Sequence, residues 1–551
     1  MFGLPVLTDF THRYVGPSGH PDPRFFIWAM AWWPHAILHG LNPMWTRAVW
    51  APAGYNLAWA TGAPGPSLVL APVTMTAGPI ASYNTLALLA APSAATTAYL
   101  LCRHITGRWW PSLVGGWVFG FSTYEVAHVG LQVNLELIFL VPIAVHLVLL
   151  RLQGAIAPRP FVAALTLVLV SQFLTSTEVF ASMVVFGAIA LIIALLAAGP
   201  DQRPHLVATA MSIALSFGLA ALLAGPYLYY VFAYGIPHRT PIGADLLSFL
   251  IPTSMTRLHL TAFDGLVRRF PGSLQENTAY VGPALIAVLI LFAVARRRTV
   301  AGKVLLGSLA AVTVATLGET LFVAGRRILP LPWRAVGALP LLNNAFPRRF
   351  AMYVFLALSL MLAMWLSEIR WKRSGWALAL LVPMLLFPAP SLLAQHGRVV
   401  VPRFFEAGIY RRYIRPGDTI LIALPRARDD LFPQSQSMVM QAQSGFTFRM
   451  VVAYTGPRPR EYAGSPILQA LTIGVVPAVG PPEFQRFLRS HGITAIVMQP
   501  RSTLEPGITK LVGHPPMAVA DVLLYELSGS NAGARGSGQA ASRRFFLPRA
   551  M

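Results

Sequence analysis

Ten long apolar runs constrain this chain more than any other feature. They lie near 83–106, 111–124, 133–152, 159–176, 178–198, 205–232, 279–296, 301–323, 348–368 and 373–396. A helix needs about 20 mostly apolar residues to cross a bilayer. Lipid offers backbone groups no hydrogen-bond partner, so such runs fold as helices. Charged residues make up 11% of the 551 residues, where a soluble domain carries roughly 25%. A soluble enzyme, a disordered chain and a fibrous repeat are therefore excluded. The single cysteine, Cys102, leaves no disulfide framework and no cysteine-based zinc site. The expected fold class is an all-α polytopic membrane bundle of about ten spans.

The net charge of +22 is almost entirely arginine, since lysine stands only at 303, 372 and 510. On a membrane protein this excess points to cytoplasmic loops and anionic headgroups and not to nucleic acid. If the turns 103–110, 151–159, 199–205, 296–303 and 369–373 face the cytoplasm, they hold 12 Lys and Arg in 37 residues. The opposite side holds 12 in a stretch several times longer. This is the positive-inside pattern, with Arg296-Arg297-Arg298 its strongest element. Ten spans place both termini outside the cytoplasm. Residues 1–24 contain no apolar run that would carry 1–82 across. The run 64–80 is interrupted by Pro64, Pro66, Pro72 and Pro79, so it reads as re-entrant or interfacial. Parity therefore predicts a first helix missing from this chain.

Four regions follow. Residues 1–82 read as an extracytoplasmic loop with an aromatic amphipathic segment from Phe25 to Leu41. Trp28, Trp32 and Trp33 suit the headgroup level, and His35 and His39 disfavour a span. Residues 83–396 form the bundle, interrupted by a 46-residue outer loop, 233–278. Residues 397–527 change character: strand-like runs at Thr419–Leu424, Thr447–Ala453, Ile493–Met498 and Val522–Leu527 accompany an amphipathic helix through Phe484, Phe487 and Leu488, closed by Gly492. They predict a small extracytoplasmic α/β domain. The Gly/Ala/Ser/Arg-rich tail 528–551 reads as disordered.

The candidate chemistry gathers on the predicted outer side. Asp22 stands in His20-Pro21-Asp22-Pro23 before the aromatic helix, where prolines hold the backbone extended and aim the carboxylate. The same position suits a plain helix N-cap. Glu125, His128, Gln132 and Glu136 share one face if their region is helical. Ionisable groups near membrane segments are costly and tend to face a bundle interior or a wet cavity. A wet helix edge is the bland alternative, and a His–Glu metal site lacks a second cluster to support it. Glu178 follows Thr175-Ser176-Thr177, where it either complements a helix N-terminus or faces the outer site. Arg326, Arg327, Arg334, Arg348 and Arg349 crowd one outer loop that charge bias should thin. Arginine grips phosphate through a bidentate fork, so they are candidates to hold a lipid phosphate, against simple snorkelling to headgroups. Arg268 and Arg269 fit either role. No Walker loop and no GxGxxG after a strand is present. Energy for any reaction must come from an activated substrate already in the membrane.

His20–Trp33, with Asn42-Pro43 and Trp50-Ala51-Pro52-Ala53-Gly54, resembles the first outer loop of the bacterial GT-C superfamily of glycosyltransferases. Ala244–Ser248, Glu276–Tyr280 and Pro347-Arg348-Arg349-Phe350 resemble recurring elements of one branch of it. The likeness runs through most of the chain. It implies a multi-span enzyme whose donor is a polyprenyl-phosphate-linked sugar and whose acceptor is an envelope glycan or lipid. It implies Asp22 as catalytic base. It also implies a second acidic residue in another outer loop, for which Glu125, Glu178, Asp245 and Asp264 are candidates. The family's usual first spanning helix is absent before Asp22, as parity predicts. A divalent cation is compatible with such a site but not demanded. Two other readings stay open. One is a lipid-linked glycan transporter or flippase, although no internal repeat supports it. The other is a non-catalytic scaffold that presents residues 397–527 to envelope partners.

Overall fold

The computed structural model describes residues 4–233, 242–337, 342, 345–369, 373–428, 430, 432–456 and 458–527. The predicted tail 528–551 lies outside them. Among the described residues, six helices are long and apolar enough to cross a membrane: Pro79–Thr106, Val133–Leu152, Pro158–Thr175, Thr177–Ala197, Arg203–Leu223 and Pro347–Glu368. Gly282–Arg296, Val300–Thr316 and Ala377–Leu386 are shorter apolar helices.

Several expected runs stop early for local reasons. The run 111–124 divides into Trp109–Gly120 and Thr123–His128, with the Ser122 hydroxyl capping the second helix. At 1.5 Å per residue, the first of these reaches about 18 Å, too short for a bilayer core of about 30 Å. The run 205–232 breaks at Ala224 before Gly225–Ala233. The run 301–323 ends as a helix at Thr316, and its remainder enters a hairpin, Thr320–Val323 with Arg326–Pro330. The proline-rich run 64–80 forms two short helices, Pro64–Val69 and Ala71–Ala77.

The bundle is built around the helix Ala351–Glu368, whose first thirteen residues are all buried. A helix apolar on every side belongs at the centre of its assembly. Pro79–Thr106 and Trp109–Gly120 lie against it and against each other. Small residues permit that approach. A Cβ on Gly120 would stand 2.4 Å from the Ala95 nitrogen, and one on Gly116 would stand 2.6 Å from the Ala95 carbonyl oxygen. In lipid, close packing of such small-residue faces replaces the hydrophobic drive available in water.

Charge marks the two ends of the bundle. Arg349 opens the central helix and pairs with Glu178 and Glu276. Glu368 closes the same helix and pairs with Arg296, the first residue of the triple-arginine turn. Nineteen residues of helix separate these ends by about 28 Å. The triple-arginine turn and the acidic cluster therefore occupy opposite ends.

The C-terminal residues carry a five-stranded sheet. Thr419–Ala423 runs parallel to both Arg449–Met450 and Ile493–Met498. Val522–Glu526 and Met517–Val519 add antiparallel strands beyond Ile493–Met498. Only Arg449–Met450 of the expected strand 447–453 is in the ladder. The helix Pro481–Ser490 buries Phe484, Phe487 and Leu488 as its spacing predicts.

The helix Pro21–Leu38 departs most from expectation. Thirteen of its 18 residues are buried. It is wedged between the bundle helix Pro79–Thr106 and the sheet-domain helix Gln434–Gln443. The Trp28 indole donates to Gln441 at 2.9 Å. Buried Arg24 pairs with Asp430 at 2.5 Å and donates to Ser435. Its aromatic side chains fill a protein interior, because the bundle and the sheet domain cover the faces expected to meet lipid.

Candidate functional site

Asp22 occupies the first turn of Pro21–Leu38, but it is not the helix cap. His20 takes that role: its backbone is extended and its imidazole Nδ1 accepts from the Asp22 N–H at 3.4 Å. The Asp22 carboxylate is left for other partners. Tyr454 donates its hydroxyl to Oδ1 at 2.6 Å, and the Gln132 side-chain amide donates to Oδ2 at 2.8 Å.

Gln132 reaches Asp22 because the expected continuous helix from Glu125 to Glu136 is broken. Thr123–His128 ends at Val129, Gly130 takes φ 74, and Val133–Glu136 begins a new turn. Gly16 packs against that break so closely that a Cβ there would lie 1.8 Å from the Gly130 oxygen. The opening segment and the link bearing Gln132 are thus pressed together by two glycines.

Gln132 also connects Asp22 to Arg349, whose Nη2 donates to its Oε1 at 3.4 Å. Arg349 donates to Glu178 at 2.8 Å and to Glu276 at 2.6 and 3.3 Å. Its guanidinium lies over the Phe346 ring at 4.5 Å. Glu178 additionally accepts from the Phe346 N–H at 2.9 Å, while Ser176 caps its helix. Burial alone would raise the Glu276 carboxyl, but the Arg349 guanidinium outweighs it and holds the group down to about 2. Asp22, Gln132, Glu178, Arg349, Tyr454 and Trp59 line a cavity of about 200 Å³. A larger hollow of about 440 Å³, lined by Arg103, Trp109 and Gly375, sits at the opposite end and has no acidic residue in its wall among the described residues.

The other candidates lie elsewhere. Arg348, the neighbour of Arg349, is buried and donates to the backbone carbonyls of Ile242 and Pro271 at 3.0 and 3.1 Å. It secures the outer loop and does not line the cavity. Arg326 and Arg327 are exposed on the hairpin, with Arg327 over Phe322. Asp245 is fully buried and accepts from Leu247, Ala324 and Gly325 N–H groups between 2.7 and 3.1 Å. It clasps the turn of that hairpin, outside the cavity wall. The four arginines therefore do not converge: Arg326 and Arg327 stay on the hairpin, and in the 3-10 turn Pro347–Phe350 successive residues point about 120° apart, so of the four Arg349 reaches the cavity.

Glu125 and His128 are buried behind the site and do not line it. Both Glu125 carboxylate oxygens have no hydrogen-bond partner among the described residues. Burial, and then the Glu136 charge, pushes its carboxyl well above the usual range. Burial pushes the His128 imidazole down to about 4, while its Nδ1 faces the Tyr124 carbonyl. Two members of the site escaped sequence reasoning. Glu276 stands in the segment 276–280 but carries no spacing signal of its own. Tyr454 comes from the sheet domain, 432 residues from Asp22.

A divalent cation fits these residues poorly. No group of three His, Cys, Asp or Glu residues could hold a metal ion among the described residues. The carboxylates of Glu178 and Glu276 are both bound by Arg349, so the cation they hold is a guanidinium.

No family model matches the chain, and no curated protein matches it. Solved structures do. The mycobacterial arabinofuranosyltransferase AftD superposes with a TM-score of 0.57 at 14% identity, covering 96% of this chain and 41% of that one. The Archaeoglobus fulgidus oligosaccharyltransferase AglB, solved with an inhibitory peptide and a dolichol-phosphate, gives 0.51 at 12% identity over 88% of this chain and 66% of that one. The fold is that of the GT-C membrane glycosyltransferases. The chain spans just under two thirds of AglB and less than half of AftD. Within this GT-C fold, the helix bearing Asp22 is held between the bundle and the sheet domain, and the cavity opens where the two meet.

Proposed function

We propose that the protein is a membrane glycosyltransferase that moves a sugar from a polyprenyl-phosphate donor to an acceptor at the extracytoplasmic face of a bacterial inner membrane. The carrying observation is the chain of contacts Tyr454–Asp22–Gln132–Arg349–Glu178 around one cavity. Asp22 is the catalytic base. It takes the proton of the acceptor hydroxyl as that oxygen attacks the anomeric carbon. The new C–O bond forms as the bond from that carbon to the phosphate oxygen breaks. The polyprenyl phosphate departs with the electron pair, and displacement from the opposite face inverts the centre. Tyr454 and Gln132 are positioning residues that hold the two carboxylate oxygens.

Arg349 is the group suited to the charge growing on the leaving phosphate. Its four hydrogen bonds to Glu178, Glu276 and Gln132 fix the guanidinium plane before substrate arrives. Such preorganised charge costs no rearrangement during reaction. A flippase requires a path between the two faces. The buried first thirteen residues of the central helix lie between the hollows at its two ends, which favours the transferase.

The test is transfer from a radiolabelled polyprenyl-phosphate sugar in membranes carrying wild-type protein or Asp22→Asn. Loss of the base is expected to cut turnover by about 10²–10⁴-fold with unchanged protein level. Undiminished turnover in Asp22→Asn removes Asp22 as the base.

A further inference from the structure

A second hollow, of about 420 Å³, lies at the far end of the helix that carries Asp22. Its wall includes Trp32, His35, Trp45, Phe446, Arg47 and Arg449. The thirteen residues from Asp22 to His35 put it about 20 Å from the base along the helix. Between the two hollows stands the hairpin Trp45–Thr46 with Tyr55–Asn56. That hairpin is tied to the first cavity's wall, because Trp50 and Tyr55 donate to the Thr455 hydroxyl and carbonyl at 2.9 and 3.1 Å.

The aromatic side chains here are arranged and not merely collected. Trp32 stacks on Trp28 at 5.6 Å and 4°, which fixes its plane. Phe446 meets Trp32 edge-on at 5.3 Å and the His35 ring at 4.6 Å. Phe446 is held at φ 56, directly after Gly445 at φ 64. A bulky residue rarely adopts this left-handed conformation, and strain of this kind concentrates at ligand clamps. Glycine would suit the turn better. The phenyl ring packs on Trp28 at 5.7 Å as well as on Trp32 and His35. Arg47 and Arg449 are exposed at the rim, and among the described residues no carboxylate lines this hollow.

We infer that this hollow binds an oligosaccharide bearing acidic groups, as the distal part of the acceptor chain whose end is presented to Asp22. The half-buried rings of Trp45, Phe446 and His35 can meet the C–H faces of sugar rings, while buried Trp32 backs them. Two arginine forks supply charge complementarity to sugar carboxylates. The identity of the bound chain as acceptor rests on the transferase reading, whereas the binding itself does not.

The experiment is tryptophan-fluorescence titration of the full-length protein in neutral nanodiscs, with a hexameric oligogalacturonate and with maltohexaose as probes. Saturable binding is expected, at least about tenfold tighter for the acidic hexamer. Phe446→Gly, which removes the ring from this wall and also its packing on Trp28, is expected to weaken it by about tenfold or more. Arg47→Ala with Arg449→Ala should abolish the preference for the acidic probe. Asp22→Asn, which tests the transferase reading, should bind as wild type does. Absence of saturation by the oligogalacturonate up to about 10 mM overturns the inference. Unchanged affinity in Phe446→Gly does so too, as does displacement of the probe by phosphatidylglycerol vesicles, which would make the hollow a lipid site.

Discussion

Arg349 decides the site at the scale of single residues. It is nearly buried and faces two carboxylates, so removing either partner leaves charge exposed to a poor solvent. The sign of the pH effect follows from Glu276. Its ordinary value of 4.5 falls to about 2 in the folded protein. Its ionised form therefore stabilises the fold fully above about 4.5, and this contribution is lost as pH falls through about 2. Glu276→Gln is expected to melt lower than wild type at pH 7. It should also lose less melting temperature than wild type on acidification across that window. Calorimetry of both proteins in one detergent between pH 7 and pH 3 checks this. Parallel curves would mean that Glu276 does not carry the linkage.

Among the elements, the pairing of Pro79–Thr106 with Trp109–Gly120 is the most constrained. Gly116 and Gly120 sit four residues apart on one helix face, against Ala91, Ala95 and Tyr99. No side chain larger than hydrogen fits between Gly120 and the Ala95 backbone without moving one helix. Overpacking costs about 1–3 kcal/mol where neighbours can yield, and here the obstruction is largely backbone. Gly120→Leu is therefore expected to lower the detergent melting temperature sharply and to reduce yield from membranes. Leu113→Ala, at an exposed position of the same helix, should change neither. The helix Pro21–Leu38 is constrained differently, by the polar anchors of Arg24 and Trp28 in the sheet domain.

At the scale of the whole molecule, the sheet domain completes the cavity. Tyr454 and Thr455 bring its side of the wall to Asp22. The Phe432 ring supports Tyr454 at 5.4 Å, so removing the hydroxyl alone should leave the packing intact. A hydrogen bond to a charged group contributes about 1.5–3 kcal/mol. Tyr454→Phe is accordingly expected to lower kcat by about tenfold or more while leaving the donor KM unchanged. A rise in KM with unchanged kcat would show that the domain holds donor and does not position the base.

The amino-acid sequence alone determined that this chain lives in a bilayer, because runs of about 20 apolar residues admit one solvent and one backbone solution. It also marked which bundle end gathers arginine, and it singled out Asp22 between its prolines. Tertiary structure alone decided which groups meet there. Arg348 and Arg349 are equal as letters, yet a helical turn sends one to the outer-loop carbonyls and the other into the cavity. Glu125 and Glu178 look alike, yet one is sealed without a hydrogen-bond partner among the described residues and the other faces Arg349. Tyr454 had no local signal at all. Periodicity and composition report how each segment partitions between solvents. They carry no record of which distant segments share a wall, and the groups around this cavity are assembled by that contact.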